Sequence, residues 1–112
     1  MVHMIDINQT PEEIIENLSP TEINILYILG KMHISVKKNF NEHTLKKKLS
    51  NKDLKHYEKS FSNLKNSGLI VMYRPGNFGI SKKGRIVADE IVNLKRRNIY
   101  QNLRVLMLMD KE

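Results

Sequence analysis

From Lys52 to Asn66 the chain sets Lys52, Lys55, His56, Lys59, Ser62, Asn63 and Asn66 at intervals that gather on one side of a helix turning about 100° per residue. Ammonium groups neutralise phosphates, while hydroxyls and amides donate to and accept from the edges of bases. The opposite side of the same stretch carries Leu54, Tyr57, Phe61 and Leu64, spaced three, four and three residues apart. A helix over 52–67 is therefore expected to bury one apolar stripe behind a cationic front, with Gly68 as its stop.

Other chemistry finds little support. The chain has no Gly-x-x-x-x-Gly-Lys-Ser/Thr run, no His-Glu-x-x-His and no Gly-x-Ser-x-Gly. Its acids cluster at helix starts, where capping accounts for them, so no enzyme activity is expected. His3, His33, His43 and His56 come from unrelated segments without zinc-ligand spacing, and there is no cysteine. Neither a metal nor another cofactor is expected. The lack of cysteine fits a reducing, cytoplasmic setting. No membrane partner is expected, because no segment is apolar for the ~18 residues a membrane helix needs, and Met1 to Gln9 does not read as a signal peptide.

The net charge of +7 is unevenly laid out. Residues 1–30 hold five acids and no lysine or arginine, residues 31–65 hold ten lysines against three acids, and residues 66–112 hold nine basic against four acidic residues. Coding bias toward Lys, Asn and Ile, which fill 39 positions, supplies lysines but does not explain their absence from the first 30. A one-signed field of this kind attracts a polyanion and speeds encounter with it.

The elements that must hold the cationic face are legible in outline. Thr10-Pro11-Glu12-Glu13 and Ser19-Pro20-Thr21-Glu22 each offer a capping hydroxyl, a proline at the first helical position and a glutamate three residues after the cap. They predict a short acidic helix over 10–18 and a core helix to about Gly30. Ile34 and Val36 flank Ser35 as a short strand would. Asn41 caps a helix to Leu49, and Ser50-Asn51 ends it and opens the next. Ile70–Tyr73 and Phe78–Ile80 read as strands joined by a type II turn at Pro75-Gly76, and Ser81 caps a last helix with Ile86, Val87, Ile91 and Leu94 on its apolar side. Beyond Lys95-Arg96-Arg97-Asn98 a new apolar stripe begins, in one long helix or a second one. At 112 residues this is one domain, with a core over 19–91 and a helical extension over 92–112.

This order of elements resembles the winged helix-turn-helix family, in particular small archaeal and bacterial regulators of the MarR, ArsR and PadR kinds. The likeness is carried by Ser19-Pro20-Thr21-Glu22, by Phe61, Leu64 and Gly68-Leu69-Ile70, and by Ile80-Ser81-Lys82-Lys83-Gly84-Arg85. It implies a mainly α fold with a small β-hairpin wing, an extended C-terminal helix and a role in transcription regulation. It also implies that Lys52, Lys55, His56, Lys59, Ser62 and Asn63 face the major groove of double-stranded DNA, that Arg74 and Asn77 lie at the wing, and that Lys82, Lys83 and Arg85 contact the backbone. The helix lacks arginine, the commonest bidentate reader of guanine. In such regulators the last helix often pairs two subunits, and Ile99, Leu103 and Leu106 are the expected homodimer contacts. Two alternative readings start from the same residues. The acidic start and apolar tail suit a protein-contact module, and the basic field suits RNA.

Overall fold

Capping hydroxyls open most of the helices. The computed structural model describes residues 9–34 and 38–109, with the side chains of 99–109 excepted. Thr10 accepts from the Glu13 N–H at 3.2 Å and starts α1 (Pro11–Glu16). Ser19 and Glu22 form a reciprocal capping box at the head of α2 (Pro20–Lys31). Asn41 caps α3 (Glu42–Lys47), and Ser50 caps α4 (Asn51–Lys55). After α5 (Tyr57–Asn66), the Gly68 N–H reaches the Lys65 carbonyl and the Leu69 N–H reaches that of Leu64, a Schellman stop with Gly68 at φ 81°.

A three-stranded antiparallel sheet completes the mainly helical fold. Its order is β1-β3-β2, from β1 (Asn39–Asn41), β2 (Ile70–Arg74) and β3 (Asn77–Ile80). Pro75-Gly76 makes the β2–β3 turn, and Gly76 at φ 82° holds the conformation a type II turn demands of its third residue. The turn is tied to α3 by the Glu42 N–H, which donates to the Gly76 carbonyl at 3.0 Å. The register passes from Met72 opposite Phe78 to Arg74 opposite Asn77, so Tyr73 is the extra residue of a bulge.

The core lies between α2, α5, α6 (Lys82–Met109) and the sheet. Ile25, Leu26 and Leu29 of α2 are fully covered, as are Leu64, Leu69, Ile80 and, on α6, Val87 and Ala88. Rings chain α5 to the sheet: Tyr57 stacks on Phe61 at 5.2 Å, Phe61 meets Phe78 edge-on at 4.7 Å, and Phe78 lies 6.1 Å from Phe40. Contacts of this kind add directional preference to hydrocarbon burial. Among the described residues no helix is long and apolar enough to cross a membrane.

Several sequence expectations need correction. The strand read at Ile34–Val36 falls mostly outside the described residues. Ile34 is buried outside any strand, residues 35–37 lie outside the described residues, and the paired segment is Asn39–Asn41. The expected single helix over 52–67 is two helices, parted at His56, where φ −108° and ψ 6° leave the helical region. The His56 N–H bonds to the Asp53 carbonyl, tightening the last turn of α4. Leu54, expected inside, is 39% exposed, and Asp53 takes the buried place. Ile86, expected on the apolar side of the last helix, is 56% exposed. That helix is continuous to Met109.

Gly84 gives a test of the α6 seat. A Cβ added there would come within 2.1 Å of the Leu69 carbonyl oxygen, a backbone atom that cannot swing aside. Glycine to alanine in a helix ordinarily stabilises by about 1 kcal/mol. Here overpacking wins, and Gly84→Ala is expected to destabilise by roughly 1–3 kcal/mol in thermal or urea unfolding. A raised melting temperature would contradict this seating.

Candidate nucleic-acid interface

Two buried acids set the rotation of α4 and α5. Asp53, 8% exposed, accepts from Thr21 Oγ1 at 3.1 Å, from Asn24 Nδ2 at 3.1 and 3.2 Å, and from Ser50 Oγ at 3.1 Å. Glu22, 6% exposed, takes the Ser19 N–H on one oxygen and Asn63 Nδ2 on the other, at 3.2 and 3.1 Å. The first network fixes α4 to α2 and the second fixes α5 to the head of α2. On α6, Lys95 donates to Asn24 Oδ1 at 3.2 Å and lies 4.4 Å from the Tyr27 ring centroid.

With Asp53 inward, Lys52 and Lys55 stand exposed on α4, and Lys59, Ser62 and Asn66 stand exposed on α5, opposite Tyr57, Phe61 and Leu64. Among the described residues none of Lys52, Lys55 and Lys59 is ion-paired. Lys52, His56, Lys59 and Asn63 form a row along one wall of an open groove of about 1000 Å³, whose other wall is the head of α2. Lys65 turns toward the sheet and lies over Phe61 and Phe78, 5.6 Å from each centroid. Lys46 sits 4.8 Å over the Tyr57 ring and 3.9 Å from Glu58.

The remaining expected contacts divide. Arg74 is exposed at the end of β2 and Lys82 is exposed in the first turn of α6, while Asn77 and Lys83 are half-buried. Arg85 is held within the fold: its guanidinium donates to the Ile34 carbonyl at 2.8 Å and pairs with Asp89 at 3.0 Å. Asn63 is exposed, yet its amide donates to Glu22. The expected dimer residues Ile99, Leu103 and Leu106 have side chains outside the described residues. Among the described residues no three histidine or acidic side chains come together to hold a metal ion.

Tyr57 anchors the inward side of α5. Its hydroxyl donates to Glu42 Oε2 at 2.7 Å, and burial, then the Glu42 hydrogen bond and the negative charges of Glu42 and Glu58, hold the phenol far above its ordinary value of 10.0. Comparison of the chain with protein-family models, curated proteins and solved structures finds no match.

Two outcomes test these anchors. Asp53→Ala strands the donors of Thr21, Asn24 and Ser50, and should cost about 2–3 kcal/mol in urea unfolding, whereas Lys52→Ala should stay within about 0.5 kcal/mol. The raised Tyr57 value favours the native state fully below pH 10 and loses that contribution as pH climbs above it, because the unfolded phenol ionises first. The stability advantage of the native chain over Tyr57→Phe should therefore narrow in melting curves taken from pH 9 to 11. An advantage that stays constant would refute it.

Proposed function

We propose that this chain is a winged-helix protein that binds double-stranded DNA in transcription regulation, with α4 and α5 in the major groove and the β2–β3 turn against the neighbouring backbone. The observation that carries the reading is the exposed set Lys52, Lys55 and Lys59, without an ion pair among the described residues, on helices whose buried acid already has its donors. A major groove about 12 Å wide admits a helix. Ammonium groups on that helix displace counterions from phosphates, which gives affinity with a steep salt dependence. Arg74 and Lys82, exposed at the end of β2 and the start of α6, extend the positive surface beyond the helix.

Pairing of two copies through the last helix belongs to the same proposal. α6 runs 28 residues as one helix, and Ile99, Leu103 and Leu106 recur along it at spacings of four and three. Two copies would present their reading helices to two half-sites. One observation favours the protein-contact reading instead. Among the described residues β2 is an edge strand, and its Val71, Met72 and Tyr73 are 37, 60 and 52% exposed, an apolar border of the kind another chain can cover.

The test is a fluorescence-anisotropy titration of a random 20-base-pair duplex across a salt series. Lys55→Glu with Lys59→Glu should abolish binding, and the corresponding alanine pair should lower the slope of log affinity against log salt by roughly 2, with the melting temperature unchanged. Unchanged affinity in the glutamate pair would refute DNA binding through this face. Tighter, less salt-dependent binding of RNA in competition would move the proposal to RNA.

A further inference from the structure

We infer that Asn66 reads adenine in the major groove, so that the preferred duplex carries an A·T pair at the position facing it. This rests on the DNA-binding reading above and deepens it. A bidentate amide contact to adenine needs both halves of the amide at once, the NH₂ donating to N7 and the oxygen accepting from the N6 amino group.

Two amide side chains of α5, Asn63 and Asn66, could supply such a contact by residue type, and the structure separates them. Asn63 already gives one N–H of its amide to buried Glu22 at 3.1 Å, which holds that amide toward the head of α2. Ser62 is exposed, but one hydroxyl both donates and accepts and discriminates poorly among bases. Asn66 is exposed, and among the described residues its amide has no partner. It stands seven residues after Lys59 and four after Ser62, on the side of α5 opposite Tyr57, Phe61 and Leu64.

The reach fits a short stretch of duplex. Lys59 and Asn66 are about 10 Å apart along the axis at 1.5 Å per residue. That is roughly three base-pair steps of 3.4 Å, so the lysine can hold a phosphate while the amide meets a base edge. α4 and α5 carry no arginine, so no guanidinium fork competes for guanine on this face.

The experiment compares the full chain on two 20-base-pair alternating A·T duplexes of identical sequence, one with adenine and one with 7-deazaadenine, which lacks only the N7 acceptor. The native chain should bind the adenine duplex about tenfold more tightly. Asn66→Ala should bring that ratio to about one while keeping the salt slope, and Asn63→Ala should leave the ratio as it is. A native ratio of one, or a ratio that survives Asn66→Ala, overturns the inference while DNA binding stands. Failure to bind either duplex at low salt overturns both.

Discussion

The carboxylate of Asp53 is the constraint from which the exposed face follows. A charge taken out of water is costly unless donors surround it. Here the donors come from Thr21 and Asn24 of α2 and from Ser50 at the head of α4 itself. Because α2 lies in the core, a carboxylate bound to its first turns fixes how α4 is rotated. One residue before Asp53 is Lys52 and two after it is Lys55, and both are thereby turned to solvent. Leu54 is turned part-way out as well. One stranded hydrophobe is the local cost of satisfying a charge.

A second anchor of a different kind governs α5. Tyr57, Phe61 and Phe78 interlock as rings, and the Tyr57 hydroxyl closes onto Glu42 at the head of α3. Hydrocarbon burial sets the depth of α5, the hydroxyl sets its angle toward α3, and the Asn63–Glu22 bond sets its distance from α2. Between the polar anchor of α4 and the aromatic anchor of α5 the chain breaks at His56 without proline or glycine. The row Lys52, His56 and Lys59 nevertheless stays on one groove wall.

Local signals explain which parts of this arrangement were legible beforehand. The caps at Thr10, Ser19, Asn41 and Ser50, the turn at Pro75-Gly76 and the stop at Gly68 depend on neighbours within five residues, and each was readable as such. The inward place of Asp53 depends on Thr21 and Asn24, 32 and 29 residues away, and a hydrophobic pattern naturally preferred Leu54. The strand Asn39–Asn41 is equally nonlocal. Only Phe40 in it is buried, the flanking asparagines are poor strand formers, and its place comes from pairing with Asn77–Gly79. For the site, exposure of Lys52, Lys55 and Lys59 followed from helical spacing. The engagement of Asn63 by Glu22 and of Arg85 by the Ile34 carbonyl did not, since both are contacts made across the fold.

The acids of the central segment show how a modest excess of basic residues becomes a one-signed face. Glu22 and Asp53 are buried as acceptors, Glu42 receives the Tyr57 hydroxyl, and Glu58 lies within reach of Lys46 on the flank. Of these four, Glu22, Asp53 and Glu42 are engaged in capping or in joining helices, while Glu58, its side chain 91% exposed, stays in solvent on the flank. Surface fields depend on which charges remain unpartnered in water more than on net composition. Glu22 and Asp53, which hold these helices in place, are therefore also acids withdrawn from the face that carries the lysines, which ties the stability of the fold to the electrostatics of its outer face.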